Sequence, residues 1–532
     1  MRDSLLVRDA VRWLARLPFL GVHDVALLTG QPEPDVEGAL REMKQDGLVD
    51  AATPSSPELD GAPLYVLTEP TRRWLLSALD GETVRALPLA WRDIIHWLAR
   101  LEATVALNAF AAGLAGSLHS ADHEVSDFHV LPVRRPQDTW WPPGVQGYGC
   151  IRAPAGAAPF FVFVDRAGAP SAHRAALIAG WYRFREGPQP WGYDIPPILV
   201  LCPGQAREGE WARAVLASAE RRDSVPLRVL LTSVVPGTGG FGLRTWQPVV
   251  GRGRAALMEW LPVRHSDHLA LCSAPLPDLR PPAPGEERQP LHRWARQVAS
   301  GSISATTLER TAALSLTTSE VEKRVLDCLA RHPLLSEAEL ATVLHRDRRL
   351  VRGAIEHATA QGLIAQTERS DDRCRRYCLA SAGLRTLALR DGVPVRRYAR
   401  HAPVTVLTAA EGERVPTLLQ QYEHTVGANS FFIAWLEGPP GGPPLLSWLS
   451  AAESAIRFES GGRRRSRRRA GAGAPPQRHP PFPLPRALGG RPVRALGNPA
   501  QSPPRARPAA PPPGPPRPAT TSAPACRTDR WA

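Results

Sequence analysis

Lysine is almost missing from this chain. Only Lys44 and Lys323 occur among 532 residues, so nearly every base is an arginine, and chemistry needing a lysine ammonium is excluded between residues 45 and 322. Cysteine is sparse as well. The seven thiols (150, 202, 272, 328, 374, 378 and 526) are odd in number and mostly scattered, which argues against a disulfide framework. Cys374 and Cys378 have no second ligand pair, so no metal site is expected there. No run approaches the ~20 apolar residues of a membrane span, and the start lacks a signal-peptide cleavage pattern. A cytoplasmic protein with no membrane partner is expected. Gly237–Gly242 is glycine-rich but has no Lys-Ser/Thr behind it, which excludes a P-loop.

What is present starts with arginine and proline: 65 Lys+Arg against 51 Asp+Glu, and 56 Pro. The formal charge of +14 suggests nucleic acid until it is located. Residues 461–532 hold 15 Arg and one acid, Asp529, while residues 1–460 hold 50 bases and 50 acids. Bulk charge therefore says nothing about the body of the chain, and any anionic partner has to be argued locally. The length suits three or four domains.

The chain repeats itself. Leu14-Ala15-Arg16-Leu17-Pro18-Phe19-Leu20 recurs as Leu329-Ala330-Arg331-His332-Pro333-Leu334-Leu335, and the match runs on at an offset of 315 through Gly47-Leu48 and Gly362-Leu363. Farther on, the segment Glu102–Phe110 resembles Glu423–Phe431 at an offset of 321. Two copies of one unit of about 315–320 residues are expected, the second lacking its distal half.

Each unit opens alike. In the second, helical spacing covers 320–330, Ser336 and Glu339 form a capping box, and a helix follows His345–Asp347 until Gly362 closes it. Short strands are expected at 363–367 and 376–379. The first unit repeats this with helices near 4–16, 21–29 and 33–46 and strands near 48–51 and 64–67. Three helices and a hairpin describe a winged helix-turn-helix; a plain three-helix bundle with a β tab remains the alternative. The modules are expected at 1–80 and 317–395.

The two copies differ in charge. Recognition helices need donors for phosphates and base edges. Copy two offers Arg346, Arg348, Arg349 and Arg352 at the helix start, with Arg373, Arg375 and Arg376 in the wing. Copy one offers Glu33, Asp35, Glu37 and Glu42 against Arg41 and Lys44. Copy two is expected to contact double-stranded DNA, and copy one to stay away; a merely solvated helix face is the alternative.

Between the modules, strands at 128–133, 147–152 and 160–165, a helix at 171–184, a strand at 198–202, a helix at 208–221 and a strand at 227–231 imply an α/β core over 88–270. A Pro- and Ser/Thr-rich linker is expected at 274–316. Residues 396–460 should begin a second core, which breaks off at Gly461 in an Arg/Pro-rich tail expected to be disordered. That break reads either as a frame change in a high-GC gene or as a basic tail that binds nucleic acid electrostatically.

A module of this kind, then a helix carrying His-x-x-x-x-Asn-x-Phe, then an α/β core, resembles the replication-relaxation family of plasmid and conjugative-element proteins. The motif stands here as His424, Asn429 and Phe431, and in copy one as Asn108 and Phe110, with Ala103 in place of the His. Phe160–Arg166, including Asp165, looks like that family's "L-E-x-D-R" strand. The resemblance covers about 1–265 and 317–460. It implies a restriction-endonuclease-like core in which a Pro-Asp, a strand carboxylate and a Lys hold Mg²⁺. This chain departs from that pattern: 142–144 read Pro-Pro-Gly, Phe163 stands where Glu is expected, and no Lys is near. Asp165 is then expected in a structural salt bridge with Arg166.

The expectation is a non-catalytic DNA-binding protein associated with plasmid or mobile-element DNA, with no cofactor, and with replication or relaxase proteins as possible partners. An Mg²⁺-dependent nuclease or relaxase accessory, with Asp165 as ligand, and a pure protein-interaction module stay as alternatives.

Overall fold

Val7, Ala10, Val11 and Leu14 recur at helical spacing, and Leu5–Arg16 (α1) buries all four on one face. The computed structural model describes residues 5–448 except 60, 80–86, 119–122, 132–140, 167, 169–170, 192–193, 235–240, 242–243, 252, 264–288, 368–373, 396–397, 399–420 and 439–447. Val22–Thr29 (α2) starts where Gly21 N donates to the Asp24 carboxylate at 3.0 Å. It ends at Gly30, left-handed at φ 66°. Glu33–Gln45 (α3) follows, with Pro34 in its first turn. Val49–Ala52 (β1) and Leu64–Leu67 (β2) pair antiparallel, and Leu20 bridges to Tyr65 beside them. Glu69–Ala78 (α4) completes this module.

Trp91–Leu98 (α5) and Leu101–Leu118 (α6) follow, separated by Ala99 and Arg100. The second is apolar on all sides, which for a soluble fold means a core position. By length and composition it could cross a membrane, yet 72% of it is buried inside the fold. Glu124–Val130 (β3), Gly147–Ala153 (β4) and Gly156–Val164 (β5) form an antiparallel meander beneath it. The first strand starts and ends earlier than its apolar run suggests, with a register shift between Val125 and Asp127. Ser171–Glu186 (α7) and Gln205–Arg222 (α8) carry the crossovers to Ile198–Leu201 (β6) and Val229–Thr232 (β7), which continue the sheet in parallel. Gln247–Pro248 (β8) closes the order β3-β4-β5-β6-β7-β8. This is a mixed α/β sheet, as the sequence suggests. One face meets α6 through Phe128, Phe160 and Phe110. The other meets α7 and α8 through Phe163, Trp181 and Trp211, the two indoles stacked at 5.5 Å. A Cβ at Gly149 would lie 2.3 Å from the Phe160 ring, so the aromatic face requires glycine there.

The segment expected as a linker is not one throughout. Residues 274–288 lie outside the described part, but Leu291–Ala299 (α9) and Thr307–Thr317 (α10) are helices. Leu291, Trp294, Ala295 and Val298 fall on one helical stripe and join the core of the first module. Apolar periodicity outweighed the Pro/Ser composition here.

Glu320–Arg331 (α11), Leu335–Ser336 (β9), Glu337–Leu344 (α12), Arg348–Ala360 (α13), Ile364–Thr367 (β10), Arg376–Leu379 (β11) and Ser381–Arg390 (α14) follow. Ser336 Oγ accepts from Glu339 N, the capping box read in the sequence, and Gly362 takes φ 68° behind α13. The bounds of α11, α12, α13 and β10 are those of α1, α2, α3 and β1 moved by 315; β11 and α14 follow β2 and α4 at 312, because the loop between the strands is three residues shorter. Leu334 repeats the left-handed Phe19 (φ 67° and 69°). Tyr422–Leu436 (α15) is the last described helix. Fifteen α-helices and three sheets are thus present among the described residues.

Buried charge ties the second module to α6 and to the end of β5. Lys323 Nζ donates to the Glu102 carboxylate at 3.1 Å and to Ser315 O at 2.8 Å. Arg166 reaches Asp391 (3.0 Å) and Glu58, and Arg390 reaches Asp327 and Asp391. Burial pushes the Glu102 carboxyl up, but Arg166, Lys323 and Arg390 outweigh it and bring it down to about 2.

Candidate nucleic-acid interface

Helix α13 is built to expose one face. Asp347 caps it, its carboxylate accepting from Arg349 N at 2.7 Å, while Val351, Ala354, Ile355 and Ala358 face inward. The outer face then carries Arg348, Arg349, Arg352, Gly353 and Glu356, all exposed. Leu350 is 58% exposed, and a Cβ at Gly353 would meet nothing within 4 Å, so the face is open to a close approach.

The arginines are not equivalent. Arg346 donates to Glu320 at 3.0 Å, a carboxylate shared with Arg324. Arg348 and Arg352 both grip Glu337 in the first turn of α12, at 2.6 and 2.9 Å. Hydrogen bonds from Arg352 and then Arg348 hold that carboxyl below the usual range. The Arg349 guanidinium is exposed and has no ion-pair partner among the described residues. Arg375 is exposed at the entry to β11. Arg373 lies outside the described residues.

Arg376 corrects the sequence reading. Its side chain is 8% exposed and donates to Leu334 O and to the Glu339 carboxylate, at 2.9 and 2.8 Å. As the middle strand of its sheet β11 is buried along its whole length, and there Arg376 satisfies the carbonyl of the left-handed Leu334 turn. It holds the module together and is not available to a ligand. The same reading overlooked Glu320 and Glu337, because nothing in their spacing shows that α11 and α12 bring them to the arginines of the following helix.

At the matching place in the first module, α3 exposes Glu33, Asp35, Glu37 and Glu42. Glu37 pairs with Arg41 at 2.9 Å, and Glu33 meets His23.

The family-motif residues are structural where their contacts are visible. Asn108 Nδ2 donates to Pro18 O at 2.7 Å and Asn429 Nδ2 to Pro333 O at 2.9 Å, so each asparagine pins the turn preceding a left-handed residue. Phe110 is fully buried among Phe128, Phe160, Phe241 and Trp246. Phe431 is 58% exposed, with Phe432 and Trp435 beside it. His424 is exposed near the start of α15.

Asp165, at the C-terminal end of β5, is buried and salt-bridged, but to a different partner from the one expected. Arg207 Nε and Trp211 Nε1 each donate to it at 2.6 Å, while Arg166 turns to Glu58 and Asp391. The residues do not fit the Mg²⁺ that the family resemblance implies. Asp165 is taken up by a guanidinium and an indole, Phe163 fills the next inward position, and no group of three His, Cys, Asp or Glu side chains converges among the described residues. No family model, curated protein or solved structure matches the chain.

Proposed function

We propose that this protein binds double-stranded DNA through α13 and serves no catalytic role at its α/β core. In this reading the chain is a duplicated, degenerate protein of the replication-relaxation type: two winged helix-turn-helix modules, the first followed by a nuclease-like scaffold, acting on plasmid or mobile-element DNA. The repeat of element bounds at 315 supports the duplication, as do the paired left-handed turns at Phe19 and Leu334 and the paired Asn108 and Asn429 bonds. The third strand β9 beside the hairpin supports the winged-helix reading, since such modules carry a small sheet behind the helices.

One observation carries the DNA assignment. The third helix of the second module and the turn before it display four arginines (346, 348, 349, 352), and the same helix in the first displays four carboxylates (33, 35, 37, 42). Around α13, six arginines (324, 346, 348, 349, 352, 375) face four carboxylates (320, 337, 347, 356), a surplus of two positive charges. Exposed ion pairs contribute little and are screened by salt, so phosphate can exchange into them. The test is binding of the full chain to a 30-base-pair duplex by fluorescence anisotropy, from 50 to 400 mM salt, against Arg348→Ala/Arg349→Ala. Loss of two phosphate contacts should flatten the salt slope by about 1.8. An unchanged slope and affinity would refute the assignment.

A second reading, a protein-interaction module, draws on α15. There Phe431 and Trp435 lie exposed at positions where α6 has the buried Phe110 and Leu114.

A further inference from the structure

We infer that Glu337 is a built-in competitor for the DNA phosphates, one that sets how tightly α13 binds. The inference rests on the DNA reading above and adds a regulating residue that the sequence does not reveal. Glu337 stands in the first turn of α12 with 17% of its side chain exposed, facing the start of α13 across the turn at His345–Asp347. Its two oxygens take three hydrogen bonds: from Arg348 Nε at 2.6 Å and from Arg352 Nε and Nη2 at 3.1 and 2.9 Å. A phosphate presents the same chemistry, an anionic oxygen pair matched to the guanidinium fork. The two arginines are 61% and 53% exposed, so a duplex can reach them while their carboxylate partner stays anchored in the fold.

Phosphate binding here is an exchange of partners. Each guanidinium that turns to DNA leaves Glu337, and the carboxylate, held within the module, remains close enough to repel the incoming backbone. Arg348, Arg352 and Glu337 then present one net positive charge to the duplex rather than two. The corresponding position in the first module is Val22, where no basic helix needs restraint. Asp347, the cap of α13, is the other carboxylate at this edge, but its oxygen is committed to Arg349 N.

The experiment compares the full-length wild type with Glu337→Gln, Glu337→Asp and Arg348→Ala/Arg352→Ala on the same 30-base-pair duplex. Removing one opposing charge should steepen the salt slope by about 0.9, which corresponds to about eightfold tighter binding at 0.1 M salt, fading towards 1 M. Glu337→Asp should stay within twofold of wild type. Unchanged or weakened binding by Glu337→Gln, with a far-ultraviolet circular dichroism spectrum matching wild type, overturns the inference. Weakened binding would mean that the carboxylate orients the arginines for DNA. Failure of the underlying DNA reading gives a separate signature: wild type and the double arginine variant bind equally, whatever Glu337→Gln does.

Discussion

Phe110 and Phe431 each stand nine residues after the first residue of their helix, and should respond very differently to truncation. Phe110 is fully buried and makes edge or tilted contacts with four rings, the nearest, Phe241, at 4.8 Å. Phe110→Ala removes the apolar area and leaves a cavity between α6 and the sheet, which typically costs about 3–5 kcal/mol. Phe431 is 58% exposed and touches only Phe432 and Trp435 among aromatic rings of the described residues, so Phe431→Ala should fall within ~0.5 kcal/mol of wild type. A chain of several cores does not unfold in one step, so the assay should be local. Hydrogen–deuterium exchange with mass spectrometry on peptides from 101–118 and 422–436 reports each helix separately. At 1.4 kcal/mol per tenfold, Phe110→Ala should speed exchange of the first peptide at least about a hundredfold, while Phe431→Ala should change the second less than about threefold. Equal effects at the two sites would show that α15 is covered as α6 is, and the packing described for the second helix would be wrong.

Other outcomes follow from buried charge. Lys323→Ala removes the ammonium that touches the buried Glu102 carboxylate, leaving it Ser56 Oγ and the more distant Arg166 and Arg390, which should destabilise the contact between α11 and α6 by about 3 kcal/mol. The double change Lys323→Met/Glu102→Gln should recover most of that loss in a chemical denaturation series. His96 is half-buried, and its desolvation, with Arg100 and Arg92 nearby, pushes its imidazole down to about 3. The folded state therefore stays neutral at His96 where the unfolded chain takes up a proton. Stability is unaffected above pH 6.5 and falls as pH drops from 6.5 towards 3, by at most about 1.4 kcal/mol per unit. His96→Leu should flatten the denaturation midpoint between pH 6.5 and 5, and an identical slope in the variant would contradict the burial argument. Asn108→Ala should destabilise the first module by about 1–3 kcal/mol, since Pro18 O loses its buried donor.

Much of this fold is legible in the sequence because local signals agree with tertiary burial. The Ser336–Glu339 box, the Gly47 and Gly362 stops and the apolar stripes of α1 and α11 each specify an element without help from distant residues. Periodicity also separates α/β core from module, down to the order of strands and crossover helices. What escapes are features created by contact between distant segments. Arg376 looks like one more wing arginine until β11 turns it onto Leu334 O and Glu339. The Asp165 partner lies 42 residues away in Arg207 rather than next door in Arg166. Lys323 stands out only by its rarity, and nothing local marks it as buried against Glu102. The candidate site was half visible: its arginines follow from charge counting, but their restraint by Glu337 depends on how α12 and α13 meet.

The most direct measurement places the two third helices against DNA separately. A photo-reactive benzoylphenylalanine is introduced at Leu350, or at Asp35, which stands 315 residues earlier, in the full-length chain with a labelled duplex. Ultraviolet irradiation should crosslink DNA at position 350 and leave position 35 at background. Crosslinking at 35 alone, or equally at both, would contradict the claim that the arginine-edged helix, and not its acidic counterpart, meets the duplex.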